Sequence, residues 1–148
     1  QERLKAVQIK NAKDLVRRLE DLYIDVEQSR INAMDEGGKK TLEQMELNHE
    51  KELLAIDRER QEFIQAKKDS AKAEFDAAEN VKAAKDPNYK KRTFDSTGIV
   101  LSDSENAFFD NKYKATLDKQ AKERQAYYDS LKKSMNDYLA AYGTYIEA

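Results

Sequence analysis

Glu46 and His49 stand at E-x-x-H spacing, which on a helix puts a carboxylate and an imidazole on one face. Carboxylate-bridged di-metal bundles use that pair twice and add glutamates from their other helices. His49 is the sole histidine of the chain, so a second pair cannot be built. His49-Glu50 also opens like the zinc-protease motif H-E-x-x-H, but Leu53 occupies the position of the second histidine. On the row with Arg60 and Ala71, His49 reads as a packing imidazole. Acid–base work by paired carboxylates needs a cleft that holds them about 5–9 Å apart, and thin helices offer none. With no cysteine, thiolate catalysis, Cys-ligated zinc and disulfides are excluded. The expectation is a protein that is no enzyme, with no catalytic residue, no metal and no cofactor.

Composition says what must position the remaining residues. Of the 148 residues, 38% are charged and 39% apolar, with one Pro and four Gly. So little turn material excludes an all-β fold, while large apolar residues at regular spacing oppose disorder. A long-helix protein is the class that remains. The 27 basic and 29 acidic residues are mixed locally, with 7 and 8 over 1–36 and 10 and 12 over 37–86. No basic stripe forms, so nucleic acid is not an expected partner. No apolar run approaches the ~18–20 residues of a membrane span, and no signal peptide opens the chain. Gln1 in place of Met, and Ala148 within helical pattern, read as a segment of a longer protein.

Periodicity then places the elements. Ala12, Leu15, Leu19, Leu22 and Val26 step by 3 and 4, the seam of a left-handed coiled coil. Ile31, Leu42, Leu53, Ile64 and Phe75 recur at eleven, with Met34, Met45, Ile56, Lys67 and Ala78 beside them. Eleven residues in three turns make a nearly straight stripe. Its phase is unchanged across Gly37-Gly38, which predicts one long helix over 1–86, kinked at 37–38 if anywhere. Thr41 and Gln44 offer the alternative of a capping box opening a fresh helix. The charged crowds at 50–62 and 67–79 read as solvated faces with pairs four residues apart.

Asp86-Pro87 stops the helix. Residues 87–102 form a structured connecting loop, and Ser102 with Glu105 supplies the S-x-x-E box that starts the next helix. That helix, 103–148, carries a seam of Leu117, Tyr128, Leu131, Met135, Tyr138 and Tyr142 and is predicted to pack back along 42–85. The fold expected is all-α: a long helix and a returning helix forming an antiparallel, coiled-coil-like hairpin. Its packing seam joins those residues to Ile31, Leu42, Met45, Leu53, Ile56, Ile64 and Phe75. Tyr127, Tyr128, Tyr138, Tyr142 and Tyr145 crowd the last helix, where tyrosine fills a seam with its hydroxyl in water. Leu139 and Ile146 widen that face into a candidate stripe for docking another helix. In the loop, Phe94, Ile99, Val100 and Leu101 are the candidate interaction residues, otherwise folded onto the hairpin.

Two stretches resemble a known family. They are Leu47-Asn48-His49-Glu50-Lys51-Glu52-Leu53-Leu54-Ala55-Ile56-Asp57-Arg58, preceded by Met34-Asp35-Glu36-Gly37 and Lys40-Thr41-Leu42, and Phe94-Asp95-Ser96-Thr97-Gly98-Ile99 with Leu101-Ser102-Asp103 and Glu105-Asn106. Together they are similar to helical segments of phage and prophage tail tape-measure proteins of gut bacteria, over residues 20–140. The resemblance implies a scaffold and spacer of the virion tail, assembled in the bacterial cytoplasm, whose partners are other tail proteins or further copies of itself. It carries over no catalytic motif. Outside the resemblance the chain reads as soluble and intracellular, and a helical-hairpin module presenting the 87–101 loop or the tyrosine face to a partner protein is the alternative.

Overall fold

In the computed structural model the chain is all-α, with α1 spanning Glu2–Asn32, α2 Gly38–Lys85 and α3 Asp103–Glu147. The structure describes residues 2–147, apart from the side chains of residues 2, 6 and 144–147. No strand occurs among the described residues, and none of their helices is long and apolar enough to cross a membrane. The chain divides into two compact units, residues 1–54 and 55–148, and α2 contributes to both.

In the first unit the single helix expected over 1–86 is replaced by two, because the backbone leaves the helix between Asn32 and Gly38. Gly37 has φ 150°, a conformation that side chains with a Cβ rarely adopt. Ahead of it the last turn of α1 closes through Ala33 N to Ser29 O (3.2 Å) and Met34 N to Ile31 O (3.0 Å). Beyond it, Thr41 N and Thr41 Oγ1 both donate to Gly37 O at 3.1 Å. Thr41 thus lies inside the first turn of α2, and the Thr41–Gln44 box is not made. The eleven-residue phase survives because the turn happens to keep the count from Ile31 to Leu42.

Three contacts fix the direction of α2 in this unit. Tyr23 bonds Glu50, Gln28 bonds Gln44 and Arg30 pairs with Glu43. Numbers rise on α1 as they fall on α2, so the two run antiparallel. Gln28 and Gln44 exchange amide hydrogen bonds at 2.6 and 3.0 Å, and each spends another N–H on the asparagine four residues on, Asn32 or Asn48. Among the described residues of the unit, Ile31 and Leu47 are the buried apolar ones, 1% and 4% exposed.

In the second unit α2 offers Ile56, Arg60, Ile64, Lys67, Ala71, Phe75 and Glu79 at steps of four and three. Phe109 of α3 is buried with its ring edge-on to Phe63, 5.8 Å between centroids. Arg60 donates to Asp110 Oδ1 (2.9 Å) and Asn106 Oδ1 (2.6 Å), and Lys112 Nζ meets Glu59 at 2.6 Å. Lys67 Nζ binds Glu105 at 2.6 Å. These pairings make α3 antiparallel to α2, a helical hairpin. They also correct the expected overlap with 42–85, since α3 starts beside Lys67 and runs away from residues 68–85.

The connecting segment covers that end of α2 as a strap. Glu79, 2% exposed, accepts Tyr89 Oη, Arg92 Nε at 2.7 Å and Arg92 N at 3.4 Å. The Tyr89 hydroxyl, with Arg92 second, holds the Glu79 carboxyl below the usual range, while Glu79 raises the Tyr89 phenol. Phe94 packs on Phe75 (5.5 Å), and the Arg92 guanidinium lies 5.3 Å from the Phe75 ring centre. Asp95 Oδ1 accepts Thr97 N at 2.9 Å, and Lys67 Nζ donates to Val100 O at 3.1 Å. The strap ends in the cap read from sequence: Ser102 N to Glu105 Oε1 at 2.8 Å and Glu105 N to Ser102 Oγ at 3.1 Å. Lys67 above all, and the Ser102 N–H, bring the Glu105 carboxyl down to about 2.

Candidate helix-docking surfaces

α1 has two apolar faces. Ile24 and Ile31 belong to the one turned to α2 in the first unit, together with Gln28. The heptad seam lies elsewhere. Leu22 is two residues from Ile24, and at 3.6 residues per turn that is about 200° around the helix. Leu15, Leu19, Leu22 and Val26 accordingly stay between 55% and 57% exposed. Ile9, Val16 and Tyr23, seven residues apart, widen the same exposed stripe. Between the helices of this unit Val16, Leu19, Tyr23, Ile24 and Leu54 line an open groove of about 450 Å³, with Glu20 and Glu50 at its edge. The Glu50 carboxylate raises the Tyr23 phenol, which favours the protonated hydroxyl.

The second surface is on α3. Within its unit, the pairing of α3 with α2 extends from Glu105 to Lys112 in the contacts above. Tyr128, Leu131, Met135, Tyr138, Leu139 and Tyr142 are all at least 45% exposed. Tyr138 and Tyr142 stack on each other at 6.4 Å, and Tyr127 and Tyr128 meet edge to face at 5.9 Å. Tyr145 and Ile146 lie outside the residues whose side chains are described.

The predicted seam residues therefore divide. Ile31 and Ile56 are buried, and Leu42, Met45, Leu53, Ile64 and Phe75 are half-buried. Leu117, Tyr128, Leu131, Met135, Tyr138 and Tyr142 are exposed, which corrects their placement in the hairpin core. A stripe of tyrosine and leucine looks the same in sequence whether it meets the same chain or another one. Of the loop candidates, Leu101 is buried, Phe94 and Ile99 are half-buried and Val100 is 68% exposed, so most of that epitope is spent on packing. His49 is buried in α2 at 2% exposure.

Sequence reasoning missed the polar anchors. Glu79, Lys67 and Arg60 sit among charges that read as solvated, yet each reaches across to the strap or to α3. Their partners lie 10 to 50 positions away, so only the folded register reveals them. No known protein family, curated protein or solved structure matches the chain.

Proposed function

We propose that the chain is a structural segment, a helical scaffold and spacer of a tail tape-measure-like protein that acts through helix–helix contacts. The observation that supports this most is the leucine face of α1, whose Leu15, Leu19, Leu22 and Val26 are all more than half exposed, with Leu19 at the rim of the groove towards α2. A contiguous apolar stripe of this kind marks an interaction site, and its 3-and-4 spacing suits another helix better than a flat surface or a small ligand. The exposed tyrosine face of α3 adds a second such stripe. The place of action is the virion tail, with assembly in the bacterial cytoplasm. Antibody raised against the chain should detect it in tail particles purified from cells that encode it. Particles that assemble fully without it would refute the assignment.

The α3 face also favours a second reading, a protein-binding module that uses its tyrosines. Tyr138→Ser with Tyr142→Ser decides between them. A spacer tolerates both and yields tails of unchanged length, whereas a docking module loses assembled tails while the chain keeps its helicity.

A further inference from the structure

Resting on the reading of the α1 leucine face as a helix-docking surface, we propose that its occupant is the same face of a second copy, packed antiparallel. The seam assigns Leu19 and Val26 to the a positions of a heptad and Leu15 and Leu22 to d. Arg18 and Asp25 then flank it at g, with Val16 and Tyr23 at e. Flanking charges set partner and orientation in coiled coils.

In an antiparallel pair like flanks meet, g with g and e with e. Leu19 faces Leu22 of the second copy, and Leu15 faces its Val26. Arg18 then lies opposite Asp25 of the second copy, and symmetry repeats the pair with the roles exchanged. On the other flank Val16 meets the ring of Tyr23, whose hydroxyl stays on Glu50. The face is self-complementary in its apolar seam and in its flanking charges. A parallel pair matches each g with the e five residues on, so Asp25 would need Arg30 of the other copy. Arg30 is already bound to Glu27 at 2.8 Å and to Glu43. Arg18 would meet Tyr23, whose hydroxyl is engaged with Glu50. The order of charges selects the antiparallel arrangement. The Ile24 and Ile31 face of α1 stays on α2 throughout, so pairing requires no refolding of the first unit.

Sedimentation equilibrium of the full chain tests this, with twice the 17.1 kDa chain mass expected. Leu19→Asp with Leu22→Asp should leave a monomer of unchanged helicity, because both residues are more than half exposed. Arg18→Glu turns two attractive pairs repulsive and should weaken the dimer roughly tenfold. Adding Asp25→Arg to that chain should restore it. Since the protein has no cysteine, oxidation of Leu15→Cys chains mixed with Val26→Cys chains should give the mixed disulfide. Leu15→Cys linking to itself would mean a parallel pair and overturn the proposal. A dimer indifferent to every α1 substitution, or a monomer at all concentrations, overturns it as well. Neither result touches the scaffold reading, which the tail-particle experiment decides separately.

Discussion

Phe108 and Phe109 are adjacent and chemically identical, yet they are 58% and 3% exposed. One step of about 100° around α3 separates a solvated ring from a buried one. Phe109 touches Phe63 edge-on and has the Arg60 guanidinium 5.9 Å from its ring centre. Removing a buried phenylalanine side chain costs about 3–5 kcal/mol, least where neighbours can close the gap. Two helices can approach each other more readily than the walls of a layered core, so Phe109→Ala is placed at about 3 kcal/mol. The edge-to-face contact is part of that loss. For a chain of this size the corresponding drop in Tm is about 10 °C. Phe108→Ala should stay within about 0.5 kcal/mol of the parent. Urea and thermal melts followed by far-ultraviolet circular dichroism measure both. Equal losses for the two variants, or a larger loss for Phe108→Ala, would refute the register given for α3 against α2.

Further outcomes follow from the turn, the cap and the strap. Gly37→Ala forces a Cβ onto a positive φ and should cost about 1–3 kcal/mol, while Gly143→Ala, in open space on α3, should stabilise that helix by about 1 kcal/mol; melts that rank them in the opposite order would contradict the backbone described. Glu105 has a folded pKa of about 2 against an ordinary 4.5, so its contribution is complete above the ordinary value and drains away as the pH falls towards the folded one. Urea midpoints should decline between about pH 5 and about pH 2, less steeply in Glu105→Gln, and an unaltered slope would mean that Lys67 and Glu105 form no stabilising clamp. Tyr89→Phe takes a donor from buried Glu79 and should speed amide exchange at positions 89 and 92, whereas parental rates would mean that Arg92 and Phe94 hold the strap without that hydroxyl.

What the sequence revealed was whatever is encoded locally. The all-α class, the arrest of α2 at Lys85 ahead of Pro87 and the Ser102–Glu105 cap each depend on residues within a turn or two of one another. A fresh helix after Gly37-Gly38 is the alternative and not the favoured reading of the sequence, because Gly37 bends the backbone without disturbing the spacing of the apolar residues. Periodicity counts residues and is blind to a turn that preserves the count. The α3 face was misplaced for a different reason, since a stripe gives the direction of burial without naming what does the burying. Glu79 was illegible altogether: a glutamate in a crowd of charges becomes an anchor only when Tyr89 and Arg92 arrive beside it.

The route of the chain around the strap has a consequence for how this molecule can vary. Lys67 touches both Glu105, in the first turn of α3, and the carbonyl of Val100. Residues 68–99 therefore form an excursion that departs from Lys67 and returns to it. The packing of Phe63 on Phe109 lies on the far side of that junction and does not depend on how far the excursion extends. Turns of α2 can be inserted or excised there in steps of about 5.4 Å, provided the strap changes to match. The tip is an adjustable extension, and the hairpin behind it is the fixed joint.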